Sequence, residues 1–304
     1  MKVKSLNPNK IYRRISREFS LIQSTLSHYS EVIKYSNNLP ILTPSDISIC
    51  KALLDEGVFR SSLTTLSLSH TKQFLDDARS LMSKIPVTPS ESQYVIHADS
   101  AQILSHPNIF LWGLEERLLN IVESYLGVPV AYRGVFFQRD LANGQNVSTR
   151  LWHKDPEDYR IVKILVYLND VNENGGPFEY IPRYLNPQPF RLRYQLFFSD
   201  SEMARLVPKS EWVSCTGTAE TVIFFDPHNI FHRGKLPTGS DRFAIFFAYH
   251  SRKPIKVFRG HWKAPFSHDE LLVLSRTLSQ RQRECVFWWE HEDQSFKPDL
   301  MRDH

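Results

Sequence analysis

Residues 161 to 182 read Ile161-Val162-Lys163-Ile164-Leu165-Val166-Tyr167-Leu168-Asn169-Asp170-Val171-Asn172-Glu173-Asn174-Gly175-Gly176-Pro177-Phe178-Glu179-Tyr180-Ile181-Pro182. The first eight are apolar except for Lys163, rich in β-branched residues, and stopped by Asn-Asp. That length and composition read as a buried strand rather than a helix. Gly-Gly-Pro then punctuates a turn before the next short run at 178–181. The same texture recurs upstream at 130–139 and downstream at 221–225 and 243–249. Short strands without regular intervening helices predict a sandwich or barrel, not a parallel α/β sheet.

Working outward, the first third reads helical. Ile11, Ile15, Phe19, Ile22, Leu26, Tyr29 and Ile33 recur at steps of three and four, one apolar face of a long helix. Thr43-Pro44-Ser45-Asp46 supplies capping chemistry for a second helix through Leu53 and Leu54, closed by Gly57. A third helix fits 71–84, and a fourth fits 109–125 with Gly127 as its stop. A late helix at 271–282 precedes Phe287, Trp288 and Trp289, which read as packing material. The expected organisation is a helical extension over 1–40, a β core with supporting helices over 41–260, and a C-terminal helix and tail packed on it over 261–304.

With 304 residues, 41% hydrophobic and 23% charged, the chain is long enough to bury a full core. No apolar run approaches ~18 residues, so no membrane span is expected. The basic start (Lys2, Lys4, Lys10, Arg13, Arg14) has no apolar stretch behind it and is no secretory signal. Cys50, Cys215 and Cys285 are too few and too scattered for a disulfide framework, which points to a reducing, cytoplasmic setting. A net charge of +4 is too mild for a nucleic-acid binder, which needs a concentrated stripe. Basic residues do gather at Arg133, Arg139, Arg150, Lys154, Arg160 and Lys163. Asp140, Asp155, Glu157 and Asp158 are interleaved, so both an ion-paired surface and an anion-attracting pocket fit.

His153-Lys154-Asp155 sets an imidazole and a carboxylate two residues apart. In extended chain both point to the same side, where they can share one metal ion. His232, just past the apolar run 221–225, offers a second imidazole. Two His and one carboxylate on one face of Fe(II) leave three positions open, enough for a chelating cosubstrate and O2. The composition alone expects about 0.6 His-x-Asp occurrences. The chain has three, the others being His97-Ala98-Asp99 and His291-Glu292-Asp293. Only the middle one precedes a strongly apolar strand and has a later strand-then-His partner. On spacing alone, ligation and ordinary polar roles both stand. Arg242, ten residues after His232, can grip a carboxylate with two parallel hydrogen bonds or form a surface ion pair with Asp241 or another acid. Lys163 either meets an anion inside the barrel or snorkels to solvent.

From Tyr132 to Pro254 the chain resembles the phytanoyl-CoA dioxygenase-like group of iron(II)/2-oxoglutarate-dependent oxygenases. The matching features are Trp152-His153-Lys154-Asp155, Tyr167-Leu168-Asn169-Asp170 and the stretch from Asn174 to Pro182, followed by Thr221 to Asp226, His232-Arg233-Gly234 and Arg242. The resemblance implies an α+β protein with a mainly β core: a double-stranded β-helix, the jelly-roll or cupin-like barrel, with N-terminal helices around it. It implies that His153, Asp155 and His232 bind Fe(II) and that Arg242 holds the distal carboxylate of 2-oxoglutarate. Lys163 would be a second contact to that carboxylate, and Gln138 a donor to the cosubstrate's other end. The activity implied is hydroxylation of a C–H bond of a small molecule, with release of succinate and CO2; the basic residues flanking the motif, not the resemblance, hint that this molecule bears a carboxylate or is carrier-linked. A non-catalytic jelly-roll binding module and a cupin-like metal-dependent hydrolase or isomerase are the rivals. One departure is Pro182-Arg183-Tyr184-Leu185, where the family has a Pro-Gly-Ser-His turn.

Overall fold

The computed structural model describes residues 8–85, 93–187, 195–255 and 266–291, with side chains from residue 22 onward in the first helix. Ten helices and eleven strands fall within these residues. The helices are α1 (Pro8–Tyr35), α2 (Pro44–Asp55), α3 (Leu63–Leu66), α4 (Thr71–Met82), α5 (Ser100–Leu104), α6 (Pro107–Trp112), α7 (Glu116–Leu126), α8 (Asp200–Met203), α9 (His268–Leu274) and α10 (Gln280–Val286). The strands form two antiparallel sheets. The first runs β1 (Val58–Ser62), β9 (Thr221–Phe225), β5 (Val162–Tyr167), β11 (Arg242–Ser251), β3 (Val130–Asp140), β2 (Val95–His97). The second runs β7 (Phe197–Phe198), β4 (Trp152–His153), β10 (His232–Gly234), β6 (Phe178–Tyr180), β8 (Val213–Cys215). From β3 onward the chain crosses repeatedly: β3, β5, β9 and β11 belong to one sheet, and β4, β6, β7, β8 and β10 to the other.

The stretch quoted first explains how the layers stack. In β5 the period of two sends Val162, Ile164 and Val166 toward the helices, into a core shared with Phe74, Leu119 and Val122. Leu165 and Tyr167 face the other way, toward the second sheet, with Phe178, Tyr180 and Phe225. Each large side chain so covered contributes roughly 1.5–3 kcal/mol. Both faces of β5 are thus buried, which is why it reads as a continuous apolar run rather than an alternating one. Lys163 shares the face of Leu165 and Tyr167, pointing between the sheets.

The helix starts follow capping rules. Thr43 accepts a hydrogen bond from the Asp46 amide at the head of α2, and Ser267 and Ser279 form capping boxes with Glu270 and Gln282. Two expected helices prove to be pairs. Residues 109–125 split into α6 and α7 because Gly113 lies against the sheet: a Cβ there would sit 2.5 Å from Phe247 and from the Tyr132 hydroxyl. The Tyr249 hydroxyl donates to the Gly113 carbonyl (2.7 Å), so the chain opens at this point to meet the sheet. Residues 271–282 likewise split into α9 and α10. Phe287, Trp288 and Trp289 are buried, as packing residues should be. Cys50, Cys215 and Cys285 are unpaired. Among the described residues no helix is long and apolar enough to cross a membrane.

Candidate metal centre

His153 ends β4 and His232 begins β10, and the antiparallel register sets the two directly opposite each other. Their ring centroids are 4.3 Å apart. Asp155 lies just past β4, where its amide donates to the Pro227 carbonyl (2.9 Å), tying that turn to the loop that leads into His232. Ligand atoms of His153, Asp155 and His232 all fall within 4.8 Å of one another, and all three residues are buried.

Each imidazole is aimed by its own chain. The Nδ1 of His153 meets the Leu151 carbonyl at 2.8 Å, and the Nδ1 of His232 meets the Ile230 carbonyl at 3.4 Å. With Nδ1 engaged, Nε2 is left to serve as a ligand. The Nε2 of His153 stands 3.7 Å from Asp155 Oδ1, while Asp155 Oδ2 accepts from Lys163 Nζ at 2.5 Å. The two carboxylate oxygens therefore have separate partners. Behind β10, Arg233 donates through Nε to Glu179 (2.8 Å), and its guanidinium carbon lies 4.6 Å from the Trp152 ring centroid. That fixes β10 to β6 and β4, so the histidine pair sits on braced strands.

The charges are arranged for a cation. Burial lowers the pKa of both His153 and His232, so both are neutral at physiological pH. Burial acts to raise the Asp155 pKa, but Lys163 beside it, helped by the two imidazoles, brings it well below the usual carboxylate range. Two neutral imidazoles and one carboxylate are a donor set that suits Fe(II).

Arg242 is buried at the start of β11, at the opposite end of that strand from Ala248, which pairs with Lys163. Its Nε and Nη2 donate to Asp140 Oδ2 at 3.1 and 2.8 Å, and its Nη1 donates to the Gly176 carbonyl at 2.6 Å. Gln138 donates to the same Asp140 oxygen at 2.9 Å, so its amide lies at the Arg242 end of the strand pair. Burial disfavours the Arg242 cation, but Asp140 outweighs it and raises the pKa. Lys163 contacts Asp155 in the candidate metal set.

The rival motifs resolve differently. Asp99 caps α5, accepting from the Gln102 amide at 2.8 Å, and His97 pairs with Gln138 in the sheet. His228 turns its Nδ1 to the Asp155 carbonyl at 3.0 Å. The side chains of His291-Glu292-Asp293 lie outside the described residues. Sequence reasoning overlooked Asp140 as the partner of Arg242, and Glu157, whose buried Oε2 has no hydrogen-bond partner among the described residues. Glu157 lines a small cleft with Arg133, Lys163 and His250.

His250 gives a pH prediction. It is buried with its ring edge-on to Trp288 (5.2 Å), and burial, reinforced by the charge of Arg133, pushes its pKa down to about 3. A histidine depressed in this way stabilises the fold fully above its unfolded pKa, about 6.5, and loses that contribution as pH falls toward 3. In metal-free protein this residue accounts for about 2 kcal/mol of lost stability between pH 7 and pH 5. His250→Phe keeps the ring and removes the proton site. Denaturant unfolding at the two pH values should show a shallower acid loss in the variant; equal losses would remove His250 from the account.

No family model matches the sequence, and no curated protein does. Among solved structures the chain is similar to the non-heme alpha ketoglutarate dependent carbocyclase SnoK from nogalamycin biosynthesis. The identity is 17%, the match covers 70% of this chain and 85% of that one, and the TM-score is 0.50. HygX from Streptomyces hygroscopicus, solved with nickel and 2-oxoglutarate bound, is 17% identical over 69% of this chain and 88% of that one, at a TM-score of 0.48. EctD from S. alaskensis is 19% identical over 71% and 79%, at 0.46. The likeness to SnoK is one of fold.

Proposed function

We propose that this chain is an iron(II)- and 2-oxoglutarate-dependent oxygenase on a double-stranded β-helix, and that it hydroxylates a small molecule. The observation that carries the reading is the convergence of His153, Asp155 and His232, with both imidazole Nδ1 atoms occupied by backbone carbonyls. The crossing of the chain between two antiparallel sheets and the fold likeness to SnoK support it. His153, Asp155 and His232 would hold Fe(II). Bound there with 2-oxoglutarate and O2, the iron supplies an oxidant for an unreactive C–H bond, and the cosubstrate leaves as succinate and CO2.

The chain's own residues do the positioning. Lys163 fixes the Asp155 oxygen that faces away from His153, leaving Oδ1 for the metal. Burial of all three ligands keeps water from competing and keeps both imidazoles unprotonated. Arg242, charged and deep between the sheets, receives the far carboxylate of 2-oxoglutarate. Arg133 and Glu157, in the cleft beside Lys163, offer charges of both signs to a polar substrate.

Anaerobic titration of metal-free protein with Fe(II) and then 2-oxoglutarate tests this, followed by measurement of succinate on admitting air. Arg242→Lys still neutralises Asp140 but loses the planar fork. A lost charge-assisted hydrogen bond is worth roughly 1.5–3 kcal/mol, so 2-oxoglutarate binding should weaken about 10- to 150-fold while Fe(II) binding barely changes. If folded, metal-loaded wild-type protein binds no 2-oxoglutarate and forms no succinate, the oxygenase reading fails.

A further inference from the structure

Helix α1 wears its amphipathicity inside out. Ser24, Thr25, His28, Glu31, Val32 and Tyr35 form the face against the body and are each partly buried. Ser24 and Thr25 bond the Tyr159 hydroxyl at 2.8 and 3.1 Å, and His28 stacks on the Tyr159 ring at 4.4 Å. Val32 packs over Gly127, and Tyr35 bonds Glu123. The apolar stripe points the other way. Ile22, Leu26, Tyr29 and Ile33 are 58%, 66%, 58% and 73% exposed. A helix ordinarily buries its apolar stripe and exposes its polar face.

We propose that this stripe is a dimerisation seam, and that α1 packs against α1 of a second copy of this chain. The spacing carries the choice of occupant. Phe19, Leu26 and Ile33 occupy a positions, and Ile15, Ile22 and Tyr29 occupy d positions, of one unbroken heptad register along the helix. Tyr12 extends it by one more a position. A strict a and d stripe repeats every 3.5 residues, which is the period that keeps a seam facing another helix. The flanks are compatible with self-pairing: Ser16, Gln23 and Ser30 at e, and Thr25 and Val32 at g, carry no charge, and only Glu18 does. Identical helices therefore meet without facing rows of like charge.

A helix lying on a lipid surface needs a broader apolar face than two positions in seven. A two-fold dimer is also the commonest closed assembly. The seam lies on the side of α1 turned away from Tyr159, so pairing covers none of the residues proposed for the metal, and the inference does not rest on the oxygenase reading.

Light scattering and sedimentation equilibrium of the full chain at micromolar concentration provide the test. Wild type should weigh twice 35.5 kDa. Leu26→Glu/Ile33→Glu, at exposed positions, should halve that mass and leave the circular dichroism spectrum unchanged. Ile22→Leu/Ile33→Leu, which keeps the seam apolar, should stay double. A monomeric wild type overturns the proposal. So does a glutamate variant that stays dimeric, because the interface then lies elsewhere. Co-sedimentation of a monomeric wild type with vesicles of anionic phospholipid would assign the stripe to a membrane surface instead.

Discussion

Asp155→Ala should abolish tight metal binding and weaken the metal-free fold at the same time. Asp155 has two tasks on two oxygens: Oδ1 lies toward the imidazoles and Oδ2 accepts from Lys163. Loss of a partner that merely orients a ligand typically costs about 10- to 100-fold in metal affinity. Removing the only anionic ligand of the set should cost more than about 100-fold, read by calorimetric titration with Fe(II) under argon. The second effect needs no metal. Lys163 has a side chain only 12% exposed, and without Asp155 its ammonium loses this hydrogen bond. Breaking a buried pair from one side costs roughly 3–5 kcal/mol. Asp155→Asn keeps the shape and should lose the metal while destabilising less. Asp99→Ala is the control: it deletes a helix cap worth about 1 kcal/mol and leaves metal affinity unchanged. Wild-type metal binding by folded Asp155→Ala would mean that the carboxylate has been misassigned.

The convergence of His153, Asp155 and His232 was legible because it depends on short-range rules. A β period of two puts His153 and Asp155 on one side, and an apolar run ahead of His232 marks a strand delivering it. What those rules leave open is register. That His232 faces His153 is decided by how β10 lies between β4 and β6, a tertiary matter. Likewise Asp140 and Arg242 are 102 residues apart and meet only because β3 and β11 align them as direct neighbours. The short strands β1, β2, β7 and β8 escaped notice because two to five residues show too little alternation. The break at Gly113 escaped because a glycine within an apolar periodic run looks tolerable until Phe247 and Tyr132 stand against it. The apolar face of α1 was plain in its spacing, whereas its outward orientation depends on Tyr159, Glu123 and Gly127, which no local pattern connects to it.

Asp140→Asn should tighten 2-oxoglutarate binding while destabilising the protein that lacks it. In the fold Asp140 already occupies the Arg242 fork: its Oδ2 accepts from Nε, from Nη2 and from Gln138. A cosubstrate carboxylate arriving at Arg242 therefore meets a fixed negative charge. At about 5 Å and an effective dielectric constant of ~20, that repulsion is of order 3 kcal/mol. Asparagine removes the charge and keeps the shape and one carbonyl acceptor. Left alone, Arg242 becomes a buried cation without a counter-ion, which costs roughly 3–5 kcal/mol of folding free energy. An added carboxylate restores that partner, so the ligand's benefit grows as the empty protein's stability falls. The expected pattern is a lower melting temperature without 2-oxoglutarate, a larger upward shift on adding it than in wild type, and affinity at least about ten-fold tighter by calorimetry. Weaker binding in the variant would show that Asp140 serves to aim the guanidinium rather than to compete for it. No response to 2-oxoglutarate in either protein would place the Arg242–Asp140 pair among the structural ion pairs of the core, and would leave the metal set to be explained without that cosubstrate.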